Sequence, residues 1–135
     1  KGHDLHGLRV LLVEDNPVNM LIGVALLERW GITVSQAHDG REALLEVQQA
    51  HNAGIPHHVV LMDLQMPVMS GYEATRALRQ RAAGRVLPII ALTAAALVSE
   101  REQALADGMD DFLTKPIDAE RLAAALSRWV GVRRV

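Results

Sequence analysis

Residues with reactive side chains follow several apolar segments of this sequence. The clearest case is segment 59–62, Val-Val-Leu-Met, which has the length of a strand and ends in Asp63. A segment that is apolar on both faces is typical of a strand buried on both sides, as in a parallel sheet. Ligands of such sheets bind at the carboxyl ends of the strands. The ends of four apolar segments together contribute Glu14, Asp15, Asp63, Thr93 and Lys115.

These side chains suit phosphoryl chemistry around a metal ion. Three carboxylates held together repel one another, and each pair at about 4 Å costs about 4 kcal/mol at an effective dielectric constant of about 20. Oxygen ligands without cysteine or a local histidine pair favour a hard divalent cation, Mg²⁺ or Mn²⁺. Lys115 adds a positive charge and Thr93 a hydroxyl, which can stabilise transferring phosphoryl oxygens. The sequence has no glycine-rich loop that would indicate nucleotide binding. Because no Ser-His-Asp candidate lies at the strand ends, the best nucleophile is a carboxylate, and the product would be an aspartyl-phosphate.

Strand and helix patterns alternate five times along the chain. The strand candidates are segments 8–13, 32–37, 59–63, 87–93 and 111–114, and a helical pattern follows each of them. Helix starts are indicated by Asn16 with Pro17 and by capping-box spacings at positions 39/42, 70/73 and 99/102. This order predicts parallel strands with right-handed crossovers. We therefore expect an α/β fold, a flavodoxin-like (βα)5 doubly wound parallel sheet with strand order 2-1-3-4-5.

The composition indicates one domain with a full core. The chain has 135 residues, of which half are hydrophobic. We expect residues 8–131 to form the domain, residues 1–7 to be a linker or cloning remnant, and residues 132–135 to be a C-terminal tail. A formal net charge of −2 and four aromatic residues give no indication of nucleic-acid binding. No apolar run approaches the length that spans a membrane.

The first helix, predicted over residues 17–30, is apolar on both sides. On a helical wheel, one side holds residues 18, 21, 22, 25 and 26, and we expect this side to face the core. The opposite side holds Met20, Gly23, Val24 and Leu27, where a surface helix normally has polar residues. We therefore predict that these four residues form a docking stripe for a partner helix. The alternative is that they are isolated exposed apolar residues, which are common.

From Leu8 to Val130, the chain resembles the receiver domains of two-component response regulators. The motifs that carry the resemblance lie at the predicted strand ends and are Val13-Glu14-Asp15-Asn16, Met62-Asp63, Met66-Pro67 with Gly71, Ala91-Leu92-Thr93-Ala94, and Lys115-Pro116. Each motif alone is weak, but together in this order they are specific. Segments 14–19 and 109–116 look most like the receivers attached to hybrid sensor histidine kinases.

The resemblance implies a role for each site residue. Asp63 would accept a phosphoryl group from a phosphohistidine in a Mg²⁺-dependent reaction, and the domain would then change conformation or relay the phosphate. The metal would be held by Glu14, Asp15, Asp63 and the backbone carbonyl of Gln65. The phosphate would be bordered by Thr93, Ala94 and Lys115. Thr93 and Phe112 would form the switch, and the bond before Pro116 would be cis.

The resemblance also implies the partner and the setting of the domain. The phosphoryl donor would be a histidine kinase or a histidine phosphotransfer domain. The domain would be a cytoplasmic monomer or weak dimer, either free or as a module of a membrane-anchored sensor kinase, and would itself contact neither nucleic acid nor membrane. It would catalyse only its own phosphorylation and dephosphorylation, whereas a hybrid-kinase parent would be a phosphotransferase.

Two other functions remain open on the sequence. One is a small aspartyl-phosphate phosphatase of the haloacid-dehalogenase type, but such enzymes need a second aspartate two residues after the nucleophile, where this chain has Gln65. The other is a pseudo-receiver that binds partners without being phosphorylated. The complete set of site residues argues against this second alternative.

Overall fold

Five strands and five α-helices alternate in the computed structural model, which describes residues 4–94 and 97–133. The strands are β1 (Arg9–Val13), β2 (Thr33–Ala37), β3 (Val59–Asp63), β4 (Ile89–Thr93) and β5 (Asp111–Thr114). The helices are α1 (Pro17–Glu28), α2 (Gly40–Asn52), α3 (Gly71–Arg79), α4 (Val98–Ala106) and α5 (Ala119–Arg133), with a 3-10 turn at Ala82–Gly84. None of the helices in these ranges is long and apolar enough to cross a membrane.

The strands form one parallel sheet in the order β2-β1-β3-β4-β5. This confirms the predicted (βα)5 fold and its strand order. Alternate residues of the central strands point to opposite faces of the sheet. Leu11, Val60 and Ala91 pack on the face covered by α2, α3 and α4, while Leu12, Leu61 and Ile90 pack on the face covered by α1 and α5. Because both faces are covered, β3 and β4 are buried along their whole length.

Local side-chain bonds fix most of the helix starts. Asn16 caps α1 by accepting from the amides of Val18 and Asn19, and Ser70 forms a complete capping box with Glu73 at α3. The capping box predicted at Ser99 is wrong. Helix α4 begins two residues earlier than this cap predicts, at Val98, and its N-cap residue Leu97 has no side-chain acceptor for the free amides. Ser99 therefore lies inside the helix, and the spacing of Ser99 and Glu102 was coincidental.

The predicted orientation of α1 is also wrong. Met20, Gly23 and Leu27 of the predicted docking stripe are buried, and Val24 is half-buried and packs against the core. The physical reason is that α1 is apolar on both sides, so periodicity alone could not choose the packed side. Gly23 decides it, since a Cβ at this position would lie 2.7 Å from Cδ2 of Leu12 on β1. The glycine side of the helix therefore faces the sheet, where its lack of a side chain allows close approach.

The opposite side of α1 is exposed instead. Val18, Leu21 and Ile22, which we expected in the core, are 62%, 71% and 60% exposed. Their spacing of three and four residues places them on one side of the helix, which begins two residues after Asp15. We refer to Val18, Leu21 and Ile22 as the α1 outer face.

The predicted ends of the domain also need adjustment. Leu5, within the expected linker, is buried and packs in the core beside Leu8, and the Gly7 amide donates to the carbonyl of Gly31 at 2.8 Å. One leucine among polar and glycine residues gives no periodic signal, so the sequence did not indicate this packing. At the other end, the backbone of α5 continues to Arg133, past the expected start of the tail. Residues 1–3, 134 and 135 of the predicted linker and tail lie outside the described residues.

Candidate phosphoacceptor site

Three carboxylates meet at the carboxyl ends of β1 and β3. Oxygen atoms of Glu14, Asp15 and Asp63 all lie within 4.8 Å of one another. Glu14 and Asp63 are 3% and 4% exposed, whereas Asp15 is open to solvent. The backbone explains the convergence, because β1 and β3 are neighbouring parallel strands whose carboxyl ends lie at the same edge of the sheet. The sequence prediction that these three residues come together is confirmed by their geometry.

Lys115 lies between the two buried carboxylates. Its Nζ atom is 2.9 Å from Oε1 of Glu14 and 3.3 Å from Oδ1 of Asp63. The peptide bond from Lys115 to Pro116 is cis, as the resemblance implied, and the Lys115 amide donates to the carbonyl of Thr93 at 2.7 Å. Burial lowers the pKa of the ammonium group, but the hydrogen bond to Glu14 and the charge of Asp63 outweigh this effect and raise the pKa overall. Lys115 is therefore a fixed cation of the site.

Asp63 has an unusual affinity for a proton. Burial raises its pKa to about 7, and the adjacent Glu14 carboxylate acts in the same direction. Lys115 and the Gln65 amide, which donates to Oδ1 at 3.3 Å, both oppose the shift. Additional positive charge at this position would favour the ionised form. The ionisation of the carboxylate that the sequence singles out as nucleophile therefore depends on a nearby cation.

The acidic cluster fits a hard divalent cation. Three carboxylates supply oxygen ligands, and one lysine neutralises only part of their charge. Oxygen-rich, partly open sites of this kind suit Mg²⁺, which binds through one or two carboxylates and keeps several of its waters. Glu14, Asp15 and Asp63 are the side chains that would hold it, and the exposure of Asp15 leaves the cluster open to solvent.

Thr93 lies at the end of β4 and is 2% exposed. Its hydroxyl donates to Oε1 of Glu100, in the first turn of α4, at 3.0 Å. Ala94 follows it and is exposed, so the strand leaves the sheet without a bulky side chain at this point. The sequence did not indicate any role for Glu100. Thr93 and Glu100 are seven residues apart and lie on different elements joined by a loop, so no helix or strand periodicity predicts their contact.

Phe112 on β5 is half-buried and packs against the core on the α4 side of the sheet. The guanidinium carbon of Arg101 lies 4.3 Å from the centre of its ring, a cation–π contact. Arg101 directly follows Glu100 in α4. Consecutive residues of one helix therefore contact the two residues, Thr93 and Phe112, that were predicted to form a switch.

The loop between β3 and α3 is shaped by Gly71. Its amide donates to the carbonyl of Leu64 at 3.1 Å, and a Cβ at this position would overlap the carbonyl oxygen of Asp63. Glycine thus permits α3 to start directly against the strand that carries Asp63. In the same loop, Val68 has a φ of 69°, which is unusual for a β-branched residue. The loop is therefore held in a demanding backbone conformation beside the site.

Comparison with known proteins identifies the family. The sequence model of the response regulator receiver domain matches residues 10–127. The chain belongs to this family.

Relatives support this assignment at the level of sequence and fold. The sensor histidine kinase GacS of Pseudomonas protegens is 43% identical over 127 residues, which are 92% of this receiver but 13% of that protein. The chain therefore spans a small part of this curated relative. The solved receiver domain of the sensor histidine kinase PA1611 from Pseudomonas aeruginosa is 42% identical, with a TM-score of 0.84 and coverage of 93% and 98% of the two chains. That structure has a magnesium ion coordinated in its active-site cleft.

A third relative is known in a complex. The receiver domain of Ssk1 from Saccharomyces cerevisiae has been crystallised with the histidine phosphotransfer protein Ypd1. Its structure matches with a TM-score of 0.81 at 31% identity, covering 97% of this receiver and 94% of the matched chain.

Proposed function

We propose that this receiver domain accepts a phosphoryl group on Asp63 from a phosphohistidine, with Mg²⁺ held at the acidic cluster. One Oδ atom of Asp63 attacks the phosphorus, a P–O bond forms, and the P–N bond to the donor imidazole breaks. The released imidazole nitrogen takes up a proton. The observation that carries the proposal is the buried Asp63 carboxylate, which contacts the Lys115 ammonium group that it shares with the buried Glu14 carboxylate.

The residues around Asp63 have separate tasks in this reaction. Lys115 is placed to pair with a phosphoryl oxygen, because its Nζ already lies within 3.3 Å of the carboxylate that would carry the group. The Gln65 amide orients the Asp63 carboxylate through Oδ1. A bound Mg²⁺ would offset the negative charge of the carboxylates and of the phosphoryl oxygens. We assign the remaining metal ligand to the Gln65 carbonyl and the phosphate-binding backbone to Ala94.

Incubation with acetyl phosphate tests this chemistry. Wild-type protein in Mg²⁺ should gain one phosphoryl group by intact mass, and the gain should disappear with EDTA and in Asp63→Asn. Asp15→Asn should be labelled much more slowly because it removes a metal ligand, while its fold is retained. Catalytic turnover of acetyl phosphate without a detectable adduct would favour a phosphatase, and no reaction would favour a pseudo-receiver.

We also propose that the donor, a histidine kinase or histidine phosphotransfer domain, docks on the α1 outer face. Val18, Leu21 and Ile22 offer exposed apolar area on the helix that begins beside Asp15. Ile22 also lines a small pocket, of about 90 Å³, together with Glu14 and Lys115 of the site. A partner on this face would therefore lie next to the phosphoacceptor. The structure of a similar receiver with a histidine phosphotransfer protein supports a partner of this class.

Rates of phosphorylation by two phosphoryl donors, a phosphohistidine protein and acetyl phosphate, distinguish an effect on docking from an effect on the chemical step. Leu21→Asp should slow phosphoryl transfer from a phosphohistidine protein by at least about tenfold, the loss expected when a charge replaces a buried apolar contact at an interface. The same variant should be labelled by acetyl phosphate at the wild-type rate. Leu45→Asp is the matched control, since Leu45 is an exposed leucine too, at 60%, but lies on α2, across the sheet. Equal slowing by both variants would contradict docking on α1.

We further infer that the domain works in the cytoplasm, as a monomer or weak dimer, within a longer signalling protein. The support is its similarity to the GacS segment, which is a small part of that sensor kinase. The parent protein would then be a phosphotransferase, with this domain as its phosphoacceptor or relay module.

A further inference from the structure

The Thr93 hydroxyl is engaged on the side of α4. It donates to Oε1 of Glu100 at 3.0 Å, and Thr93 itself is almost fully buried. A threonine hydroxyl has one proton and can donate it to one acceptor at a time. Donation to a carboxylate is charge-assisted, so this bond is stronger than one between neutral groups.

A phosphoryl group on Asp63 would accept a hydrogen bond from the same hydroxyl. Its oxygens are anionic acceptors, and Thr93 is the hydroxyl at the end of the strand that neighbours β3. The Glu100 carboxylate and a phosphoryl oxygen therefore compete for one donor. We propose that Glu100 is a positioning residue that holds the Thr93 hydroxyl towards α4 and sets the free energy of the phosphorylated conformation. This inference rests on the proposed function of Asp63.

The position of Glu100 links this competition to α4. The N-cap residue of the helix, Leu97, has no side-chain acceptor. Two other contacts tether the first turn of α4 to the sheet. Glu100 supplies one through Thr93, and the next residue, Arg101, supplies another through the ring of Phe112. When the Thr93 hydroxyl donates its hydrogen bond to a phosphoryl oxygen instead of to Glu100, the first tether is lost. The start of α4, where Leu97 and Val98 are exposed, is then held to the sheet by the Arg101 contact without the hydrogen bond to β4.

The binding of beryllofluoride, a stable mimic of the phosphoryl group, measures this competition. The apparent Kd at fixed Mg²⁺ is obtained from NMR shifts of the Asp63 and Phe112 amides. Glu100→Ala removes the Glu100 acceptor of the Thr93 hydroxyl and should lower the Kd by about 3- to 10-fold, the range expected for one hydrogen bond. Glu100→Gln keeps an acceptor oxygen without the charge and should give a smaller decrease. If the alanine variant does not fold, the Kd of Glu100→Gln alone tests the inference.

Two controls separate positioning from a general effect on α4. Glu102→Ala removes the same charge from an exposed position of the same helix and should leave the Kd unchanged. In a Thr93→Val background, which keeps the shape of the buried side chain, Glu100→Ala should no longer change the Kd. An unchanged or higher Kd in both Glu100 variants would overturn the inference, as would an equal decrease in the valine background. If wild-type protein bound no beryllofluoride at Asp63, the proposed function would fail instead.

Discussion

At the level of single residues, the site stores electrostatic repulsion that a cation can relieve. Glu14 and Asp63 are both nearly inaccessible to water, and their only cationic neighbour in the described part of the chain is Lys115. The proximity of two buried carboxylates is costly because low local polarity strengthens their repulsion. We therefore expect Glu14 and Asp63 to lower the free energy of unfolding when no metal is bound.

Replacement of Asp63 by asparagine tests this cost. Asp63→Asn removes one of the two buried charges and leaves Lys115 paired with Glu14, so we expect the free energy of unfolding to rise by about 2 kcal/mol in EDTA at pH 8. Asp15→Asn, at the exposed carboxylate, should change it by less than about 0.5 kcal/mol. Urea unfolding measures both. A destabilised Asp63→Asn variant would contradict the repulsion argument.

His57 gives the fold a separate dependence on pH. It is 4% exposed, with Nε2 3.1 Å from the Ser35 hydroxyl, and burial lowers its pKa to about 4, assisted by the charges of Arg9 and His58. Because its pKa is about 6.5 in the unfolded chain, the folded state holds His57 neutral and the unfolded state takes up the proton first. Its contribution is thus complete above pH 6.5 and is lost as the pH falls towards 4.

We therefore expect acid to destabilise wild-type protein through His57 by about 2 kcal/mol between pH 7.5 and pH 5. His57→Gln has no titrating group, so this part of the pH dependence should vanish even if the variant is less stable overall. His51→Gln, at an exposed position of α2, is the control and should retain the wild-type dependence. Chemical unfolding at both pH values decides the matter, and an undiminished pH dependence in His57→Gln would refute the assignment.

At the level of elements, α1 shows what a sequence pattern can and cannot decide. Its start was predictable, since Asn16 and Pro17 are local signals with a direct physical cause. Its orientation was not, because both sides are apolar and the choice depends on the fit of Gly23 against Leu12. Tertiary packing of this kind is absent from any local pattern.

Matched substitutions on α1 test the corrected orientation. Leu27 is fully buried, so Leu27→Asn should destabilise the domain by about 3 kcal/mol or more through a lost apolar contact and a buried amide. Leu21→Asn, six residues earlier on the exposed side, should change stability by less than about 0.5 kcal/mol. Thermal or urea unfolding compares the pair. Similar losses in both variants would mean that the α1 outer face is also packed.

Contacts between distant residues mark the limit of prediction from sequence. Arg79 at the end of α3 donates to the carbonyls of Gly84, Leu87 and Gly108 and pairs with Asp110 at 2.9 Å, which joins four segments of the chain. Nothing in the local pattern distinguishes this arginine from an exposed one. The Thr93–Glu100 bond was unpredictable for the same reason, since it depends on how α4 lies against β4.

At the level of the whole molecule, the site residues follow from the topology. Four strand ends at one edge of a parallel sheet carry the acids, the hydroxyl and the lysine, and the strand order brings β1, β3, β4 and β5 together in space. The alternation of strands and helices predicted that order, so the principal site could be located from the sequence. The same alternation requires that α1 cover the sheet, but it does not determine which of the two apolar sides of α1 does so.

The most direct test of the central claim is to locate the phosphoryl group chemically. Sodium borohydride reduces an aspartyl-phosphate to homoserine, which peptide mass spectrometry can assign to one position. After phosphorylation in Mg²⁺, we predict homoserine at position 63 in wild-type protein, and none when EDTA replaces Mg²⁺. Homoserine at position 14 or 15, or a phosphorylated protein with an unmodified Asp63, would contradict the assignment of Asp63 as the phosphoacceptor.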